Sequence, residues 1–519
     1  MHSQRSSPRQ RHTIRKSPLQ DLAQQDVVES LPQSLIQQSI VNIKTFVASF
    51  VPDYFFHNYH VSDSEDDDAL RTVGAPSEEL SERAQHDRDF APFRAISNDR
   101  FKAQLRKFLD PTNYFKDSRI RILRRTEGAS HHVMMLQFGH PKYVMEYVFK
   151  IPVTGTVERW KEEHAYTMSC EALLIKYIKK HTNMPVPEIK EVDLGFDNEL
   201  GAPYILMKKM HGKSAGYIWY EQGDGYALNA DFPSELTLQK RETFLKSLAG
   251  YMAKLQTLEF DKIGMPICED TGEPVVGHSW ETVDGNWKIR HASASTQDYL
   301  MSGIEVRWPI AATVEDMSIG NNGEEQTEED RVNRNRGRGM HKMINMIFQC
   351  PPFAAPEAGN ERFVIRHPDL DLQNILTDEE GNVTGIIDWH EAVTAPRCVG
   401  PAALPLFLIK DWLPGFTLDD PPYLSWTVDY YLRIYAQAMQ DACEDGKYTY
   451  KSAMYQAVYL ATTRRGSAPD LVDKILLQLP GVRLTDPNEF LERLGRGWSA
   501  AEKYLAKEIR DLFDPITSR

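Results

Sequence analysis

Residues 364–389 (VIRHPDLDLQNILTDEEGNVTGIIDW) constrain the fold of this 519-residue chain most strongly. Two apolar stretches that predict β-strands, 362–366 and 384–388, bracket a polar loop. Four residues separate Asp369 from Asn374 in this loop, and Asp388 ends the second apolar stretch. Turn-forming residues around Gly381 lie between two short apolar runs, which predicts a β-hairpin. A hairpin here would bring Asn374 and Asp388 beside each other.

These polar residues suit the transfer of a phosphoryl group to a hydroxyl. Asp369 and Asn374 have the Asp-x-x-x-x-Asn spacing of a kinase catalytic loop. Magnesium takes oxygen ligands, which Asp388 and the amide oxygen of Asn374 would supply. Asp369 would accept or orient the proton of the acceptor hydroxyl. We expect His367, on the same loop, to hold the loop by packing and hydrogen bonding.

The stretch resembles the aminoglycoside phosphotransferase (APH) family, a branch of the protein-kinase-like superfamily that includes choline and homoserine kinases. The usual family loop reads HGDLHPGNIL, followed by a strand ending in IDW, whereas here the residues are HPDLDLQNIL and IIDW. The DLDLQNIL variant is similar to members from filamentous fungi. The resemblance implies ATP and Mg²⁺ as cofactors, Asp369 as catalytic base, and Asn374 and Asp388 as magnesium ligands.

Upstream residues follow in the order of the family. Gly128 and Ser130 (TEGAS) lie between two predicted strands, where the family places its phosphate-covering loop. Lys150 ends a predicted strand at the position of the lysine that pairs with the α- and β-phosphates. Glu171 lies on the next predicted helix, in the place of the glutamate that holds this lysine. Each residue taken alone would be interpreted as part of the fold or as a surface ion pair.

The resemblance extends to a linker and includes departures from the family pattern. Residues 204–210 (YILMKKM) resemble the linker between lobes, so the backbone of Lys208 and Met210 would hydrogen-bond adenine. Asp371 replaces the usual histidine and would add negative charge near the acceptor site. That charge favours a cationic acceptor, although the acceptor itself cannot be derived from the sequence.

The element pattern predicts an α+β, bilobal protein-kinase-like fold with a small antiparallel sheet in the first lobe and a mainly helical second lobe. The expected strands are 119–123, 133–138, 143–151 and 204–207, and the expected helices include Glu162–His181, 244–258, 427–440 and 500–513. We expect three parts: a largely disordered N-terminal extension (1–88), a nucleotide-binding lobe (89–210) and a helical lobe (211–519).

The helical lobe carries a predicted insertion at residues 265–345. Its segment 320–338 combines an acidic block with a basic one (RVNRNRGRG). We expect an exposed loop in which the two charge blocks offset each other, the alternative being contact of the basic half with RNA or phosphate. In the N-terminal extension, residues 35–50 have helical spacing, and residues 62–68 form an acidic run.

Charge and composition limit the partners. The net charge of −14 argues against nucleic acid as the main partner, and no apolar run reaches the ~20 residues that span a bilayer. Five widely spaced cysteines without a CxxC favour a reducing compartment. We therefore expect a cytoplasmic location. The alternative is mitochondrial, because residues 1–20 are basic and serine-containing with no acidic residue.

Two other functions compete with a small-molecule phosphotransferase. The altered loop, long N-terminal extension and insertion would also fit a catalytically silent nucleotide-binding regulator or scaffold, possibly a mitochondrial one. A protein kinase fits less well, because the sequence lacks DFG and HRD, and no APE segment follows the predicted catalytic loop. Oligomeric state has no signature in the sequence.

Overall fold

The computed structural model describes residues 89–110, 119–140, 142–220, 232–269, 272–283, 286–308, 327–354, 360–413, 427–464 and 466–515. The predicted extension at 1–88, with its possible helix and acidic run, lies outside the described residues. Among the described helices, none is both long and apolar enough to cross a bilayer.

A five-stranded antiparallel sheet forms the N-terminal part, in the order β1-β2-β3-β5-β4. Its strands are β1 (Arg119–Glu127), β2 (His131–His140), β3 (Tyr143–Pro152), β4 (Ile189–Asp193) and β5 (Tyr204–Lys208). Burial alternates along β2, as expected for a strand with one face in the core. Helices α1 (Ala91–Arg94) and α2 (Asn98–Leu109) supply Phe93, Phe101 and Leu105 to the core on one face.

The helix α3 (Glu162–His181) packs on the sheet and carries one side of the main core. Its bounds match the predicted helix. At its N-terminus, the backbone N–H of Lys161 donates to Nδ1 of His164 at 3.1 Å, and the backbone N–H of His164 donates to the oxygen of Lys161 at 3.2 Å. The strands predicted in this region are confirmed, although β1 and β2 extend beyond the predicted ends.

Two small sheets lie at the predicted catalytic loop. Strands β6 (Lys213–Ser214), β13 (Ile375–Thr377) and β14 (Val383–Ile386) form one, and β7 (Glu259–Phe260), β12 (Phe363–Arg366) and β15 (Val393–Ala395) form the other. Strands β13 and β14 are paired antiparallel, which confirms the predicted hairpin. Two further hairpins are β8 (Met265–Ile267) with β9 (Val275–Gly277), and β10 (Ser279–Val283) with β11 (Asn286–Arg290).

Helices dominate the rest of the described chain. They are α4 (Gly216–Trp219), α5 (Glu235–Met252), α6 (Thr296–Arg307), α7 (Glu328–Phe348), α8 (Val428–Ala442), α9 (Gly446–Thr449), α10 (Ser452–Ala461), α11 (Ser467–Gln478), α12 (Pro487–Gly497) and α13 (Ser499–Phe513). The predicted helix at 244–258 begins earlier, at Glu235, because the Ser234 side chain caps it, and its last turn is a 3₁₀-helix at Ala253–Thr257. The structure confirms the α+β class.

The prediction of an exposed loop at 320–338 is wrong from residue 328 onward, because α7 begins there and includes the basic block. Thr327 and Asp330 cap the helix reciprocally, and the acidic first turn suits the positive end of the helix dipole. Gly339 on α7 faces the backbone oxygen of Leu491 on α12, while Gly495 on α12 faces that of Asn335. The two helices approach closely only because these positions lack a Cβ atom.

We expect Gly339→Ala to lower the free energy of unfolding by about 1–3 kcal/mol, because the added methyl group would collide with the backbone of α12. Gly250→Ala in α5 is the matched control, since open space surrounds that position and alanine favours helix. Urea unfolding followed by circular dichroism measures both changes. Equal stability of the two variants would contradict the close packing of α7 on α12.

Candidate active site

The side chain of Lys150 joins three elements. Strand β3 places Lys150 opposite Ile205 of β5 and Val133 of β2, so its position in the sheet is fixed by pairing on both sides. Its Nζ lies 2.6 Å from Oε1 of Glu171 on α3 and 2.7 Å from Oδ1 of Asp388, which follows β14. The structure thus brings together three of the residues singled out in the sequence.

The charges in this cluster stabilise one another. Burial disfavours the charged form of Lys150, but the carboxylates of Asp388 and Glu171 outweigh burial and raise the lysine pKa. Burial would likewise raise the pKa of both acids, yet the ammonium group of Lys150 lowers the pKa of Glu171 and of Asp388. At neutral pH the cluster therefore holds one positive and two negative charges.

Asp369 and Asn374 contact each other within the catalytic loop. The Asn374 side-chain amide donates to the backbone oxygen of Asp369 and to its Oδ2, both at 2.9 Å. Gln373 donates to the same Oδ2 at 3.1 Å. Burial, then the negative charges of Asp371 and Asp388, raise the pKa of Asp369 despite these hydrogen bonds. This carboxylate is held in place and is a better proton acceptor than an ordinary aspartate.

His367 links the catalytic loop to the end of β14. Its Nδ1 accepts from the backbone N–H of Asp369 at 3.2 Å, and its Nε2 lies 3.0 Å from the oxygen of Ile387. The ring is therefore neutral, with its proton on Nε2. It also packs edge to face on the buried Trp389, with ring centroids 4.6 Å apart. This is the loop-holding contact expected for His367.

The hairpin returns the chain to the loop. The backbone N–H of Ile387 donates to the backbone oxygen of Asn374 at 2.9 Å. Asp388 is the next residue, so this hydrogen bond keeps it close to the catalytic loop. Asp388 itself has a left-handed backbone with φ of 63°, a conformation that aspartate and asparagine tolerate better than most residues. Its side chain stays 41% exposed while bonded to Lys150, so it can also reach a bound ion.

A cavity of about 160 Å³ opens beside Lys150. Ser130, from the loop between β1 and β2, lines it together with Lys150 and Glu171. Gly128 forms the turn of the same loop, where its N–H donates to His131 at 2.9 Å, and a Cβ atom there would meet open space. Sterics within the described chain therefore do not demand glycine at this position.

Lys208 and Met210 lie at the end of β5, apart from this cavity. The backbone N–H of Lys208 donates to the oxygen of Glu188 at 3.0 Å, and its Nζ pairs with the Glu188 carboxylate at 2.8 Å. The N–H of Lys208, one of the groups expected to bind adenine, is thus already bonded within the chain. Met210 lies against Gly385 of β14, at the junction of the sheet with the helical part.

Asp371, which was expected to add negative charge near the acceptor site, is a buried residue of the catalytic loop. Its Oδ1 caps the N–H of Leu372 at 2.8 Å. Burial raises its pKa, while the nearby positive charge of Lys410 acts in the opposite direction. Its negative charge acts on Lys410 and also raises the pKa of Asp369, the candidate base.

Sequence reasoning missed two histidines at the cluster. His131 directly follows the Gly128–Ser130 loop, and His390 follows Trp389; both line the cavity beside Lys150. Trp287, from β11 within the predicted insertion, lines it too. The one available signal was adjacency to the two recognised motifs, because the partners of these residues lie far apart in the chain.

The chain belongs to the phosphotransferase enzyme family (APH), whose family model matches residues 121–399, more than half of its length. This match includes every residue of the cluster and the catalytic loop. The predicted recognition is thereby confirmed, and so is the protein-kinase-like α+β fold that the family defines.

Two curated proteins of fungi are related to this chain at low sequence identity. A subtelomeric hrmA-associated cluster protein of Aspergillus fumigatus is 24% identical over 56% of this chain and 61% of its own length. The clavilactone A biosynthesis cluster protein Y of Ampulloclitocybe clavipes is 23% identical over 50% of this chain and 56% of its own. The chain thus spans less than two thirds of the length of these relatives.

Solved structures also resemble the fold. A thermostable mutant of the aminoglycoside phosphotransferase APH(4)-Ia is 15% identical, with a TM-score of 0.35, and the match covers 76% of this chain and 99% of that one. A choline kinase from Cryptosporidium parvum is 10% identical, with a TM-score of 0.34, over 80% of this chain and all of that one.

We expect acid to destabilise the protein partly through His367. Burial above all lowers its pKa to about 4, below the roughly 6.5 of an unfolded histidine. The neutral ring therefore stabilises the fold above pH ~6.5, and this contribution is lost as pH falls through the folded pKa. For His367→Gln, we predict a smaller loss of unfolding free energy between about pH 7 and pH 4, by up to ~3 kcal/mol.

Denaturant unfolding at several pH values measures this difference. His140→Gln is the matched control, because His140 is the last residue of β2, where its ring stacks on Tyr143, and it has no described contact with the catalytic loop. If the unfolding free energy had the same pH dependence in His367→Gln, His140→Gln and the unsubstituted protein, protonation of His367 would not contribute to acid destabilisation.

Proposed function

We propose that this protein transfers a phosphoryl group from ATP to a hydroxyl of a small molecule, with Mg²⁺ as cofactor. The observation that carries the proposal is the contact of Lys150 with both Glu171 and Asp388 beside the fixed Asp369–Asn374 pair. One site would thus provide a positive group for phosphates, oxygen ligands for a hard cation and a proton acceptor.

The donor set fits a magnesium nucleotide. Asp388 offers an accessible carboxylate, and the amide nitrogen of Asn374 is used by Asp369, so its amide oxygen is the atom that would ligate Mg²⁺. Lys150 would bind the α- and β-phosphates, under a loop that contains Gly128 and Ser130. The backbone at Lys208 and Met210 would hold adenine. Bound ATP supplies the phosphoryl group, and Mg²⁺ offsets the charge of the triphosphate.

Asp369 would receive the proton of the acceptor hydroxyl. Its raised pKa suits this task, since a stronger base shares the proton more readily in the transition state. Gln373 and Asn374 hold its Oδ2, which leaves Oδ1 as the oxygen for the acceptor. His367 keeps the backbone of Asp369 in place.

The two proposed roles, nucleotide binding and catalysis, are assigned to the two predicted lobes. We propose that residues 89–210 form the nucleotide-binding lobe and residues 211–519 the lobe with the catalytic loop. The silent-regulator alternative has no specific observation in its favour, because the complete set of polar residues is retained in a connected arrangement. The acceptor class is open, and the relatives from fungal gene clusters support the inclusion of hydroxylated secondary metabolites in a screen.

We expect Asp369→Asn to lower the rate of phosphoryl transfer by about 10²–10⁴-fold, the usual contribution of general base catalysis. A radiolabelled-phosphate transfer assay with a panel of small alcohols, amino alcohols and hydroxylated secondary metabolites identifies the acceptor and then compares variants. The affinity for ATP should stay close to that of the unsubstituted protein, because Asp369 makes no contact with Lys150 or its partners that the structure describes.

Asp378→Asn is the matched control, since Asp378 is an exposed carboxylate in the turn of the same hairpin and asparagine can keep its turn contacts. Its rate should be unchanged. If Asp369→Asn turned over as fast as Asp378→Asn, the assignment of the base would be wrong. Binding of ATP without transfer to any acceptor in the panel would support the silent alternative.

A further inference from the structure

His131, Glu171 and His390 form a compact cluster on the side of Lys150 that faces α3. One ligand atom from each residue lies within 4.8 Å of the other two. The His390 Nδ1 is 3.6 Å from Oε2 of Glu171, and the rings of His131 and His390 meet edge to face with centroids 5.0 Å apart. Two ligands of a tetrahedral ion with bonds near 2.1 Å lie roughly 3.4 Å apart, so small side-chain rotations suffice.

One carboxylate oxygen of Glu171 is not bonded to Lys150 and could bind such an ion. Its Oε1 contacts Lys150, whereas its Oε2 is the oxygen that faces His390. The Nδ1 of His390 is buried and has no hydrogen-bond partner among the described residues, although a buried ring nitrogen usually has one. The two atoms therefore lie 3.6 Å apart, which is longer than a hydrogen bond and close to the separation of two ligands on one ion.

A distorted turn presents His390 to the cluster. Asp388 and Glu391 on either side of Trp389–His390 have φ values of 63° and 61°, and in the described chain they are the two non-glycine residues with positive φ. Trp389 is fully buried and anchors the turn. Backbone strain of this kind persists where the surrounding structure holds it, and it accumulates at binding sites.

We propose that His131, Glu171 and His390 bind a divalent ion of the Zn²⁺ class at a position separate from the proposed Mg²⁺ ligands Asn374 and Asp388. Two imidazoles and one carboxylate are ligands that Zn²⁺ and Co²⁺ accept, whereas Mg²⁺ takes oxygen atoms.

The surroundings suit such an ion. The carboxylates of Glu171, Asp388 and Glu391 outnumber the one ammonium group of Lys150, so a dication enters a net negative site. All three ligands line the cavity of about 160 Å³, which gives the ion a path and leaves room for a water in the remaining coordination position. The Nε2 of His390 lies 3.8 Å from the Glu391 carboxylate, which can orient the ring as carboxylates do around metal-bound histidines.

Cobalt absorption spectroscopy tests this proposal without nucleotide, so its outcome is independent of the proposed phosphoryl transfer. The full chain, freed of metal by a chelator, is titrated with Co²⁺ in excess Mg²⁺, and the visible d–d bands are followed. We expect bands that excess Mg²⁺ leaves unchanged and that Zn²⁺ abolishes. His131→Gln and His390→Gln should each weaken Co²⁺ binding by at least about tenfold.

His140→Gln is the control, because His140 lies at the far end of the same strand as His131. The chain has 16 histidines, so each variant is judged against this control rather than by total binding. Circular dichroism establishes that each variant is folded, and His390, at 30% exposed, is the substitution with less effect on packing. Absence of Co²⁺ bands, or affinities in either histidine variant equal to that of His140→Gln, would overturn the proposal.

Discussion

The ammonium group of Lys150 is the contact on which the arrangement of the site depends. It connects the sheet through β3, the helix α3 through Glu171, and the helical part of the chain through Asp388. A buried ion pair contributes little net stability, because desolvation of the charges offsets their attraction, but removal of one partner is costly. In the function proposed above, the ion pair places a positive group for phosphates beside an accessible carboxylate for a metal ion.

The loop that ends at Asp388 is over-determined by several contacts. His367 holds the backbone at both Asp369 and Ile387, Asn374 bonds Asp369, and Trp389 is buried. These contacts sustain the left-handed backbone at Asp388, which would otherwise be unfavourable. As a result, Asp388 contacts Lys150, while Gln373 and Asn374 hold the carboxylate of Asp369.

The sequence predicted the elements whose apolar pattern is regular. Four of the five strands of the sheet (β1, β2, β3 and β5), α3 and the β13–β14 hairpin were predicted from strand-forming residues, helical spacing and turn residues, whereas the short β4 was not predicted. The helix α7 was missed, because its glycines and like charges disfavour an isolated helix, and its stability comes from close packing on α12. The Thr327–Asp330 capping pair was a local signal that could have located its start.

The site was predicted where motif order is informative. Lys150 contacts both Glu171 and Asp388. Two other features depend on contacts between distant segments: the hydrogen bond from the N–H of Lys208 to Glu188, and the effect of the Lys410 charge on the pKa of Asp371. The same holds for His131 and His390, which lie more than 250 residues apart and share a cavity. Spacing along the chain carries no information on such pairs.

The most direct test of the central claim is the magnesium dependence of ATP binding by the unsubstituted protein and by Asp388→Asn. Asparagine tolerates the left-handed backbone, so this variant removes the carboxylate charge with little strain. Our account predicts that ATP with Mg²⁺ stabilises the unsubstituted protein in a thermal-shift titration, by about 2.7 kcal/mol at ~100 times the dissociation constant. In Asp388→Asn the magnesium-dependent part should vanish. Equal magnesium-dependent shifts in both proteins, or no shift with any nucleotide, would contradict the account.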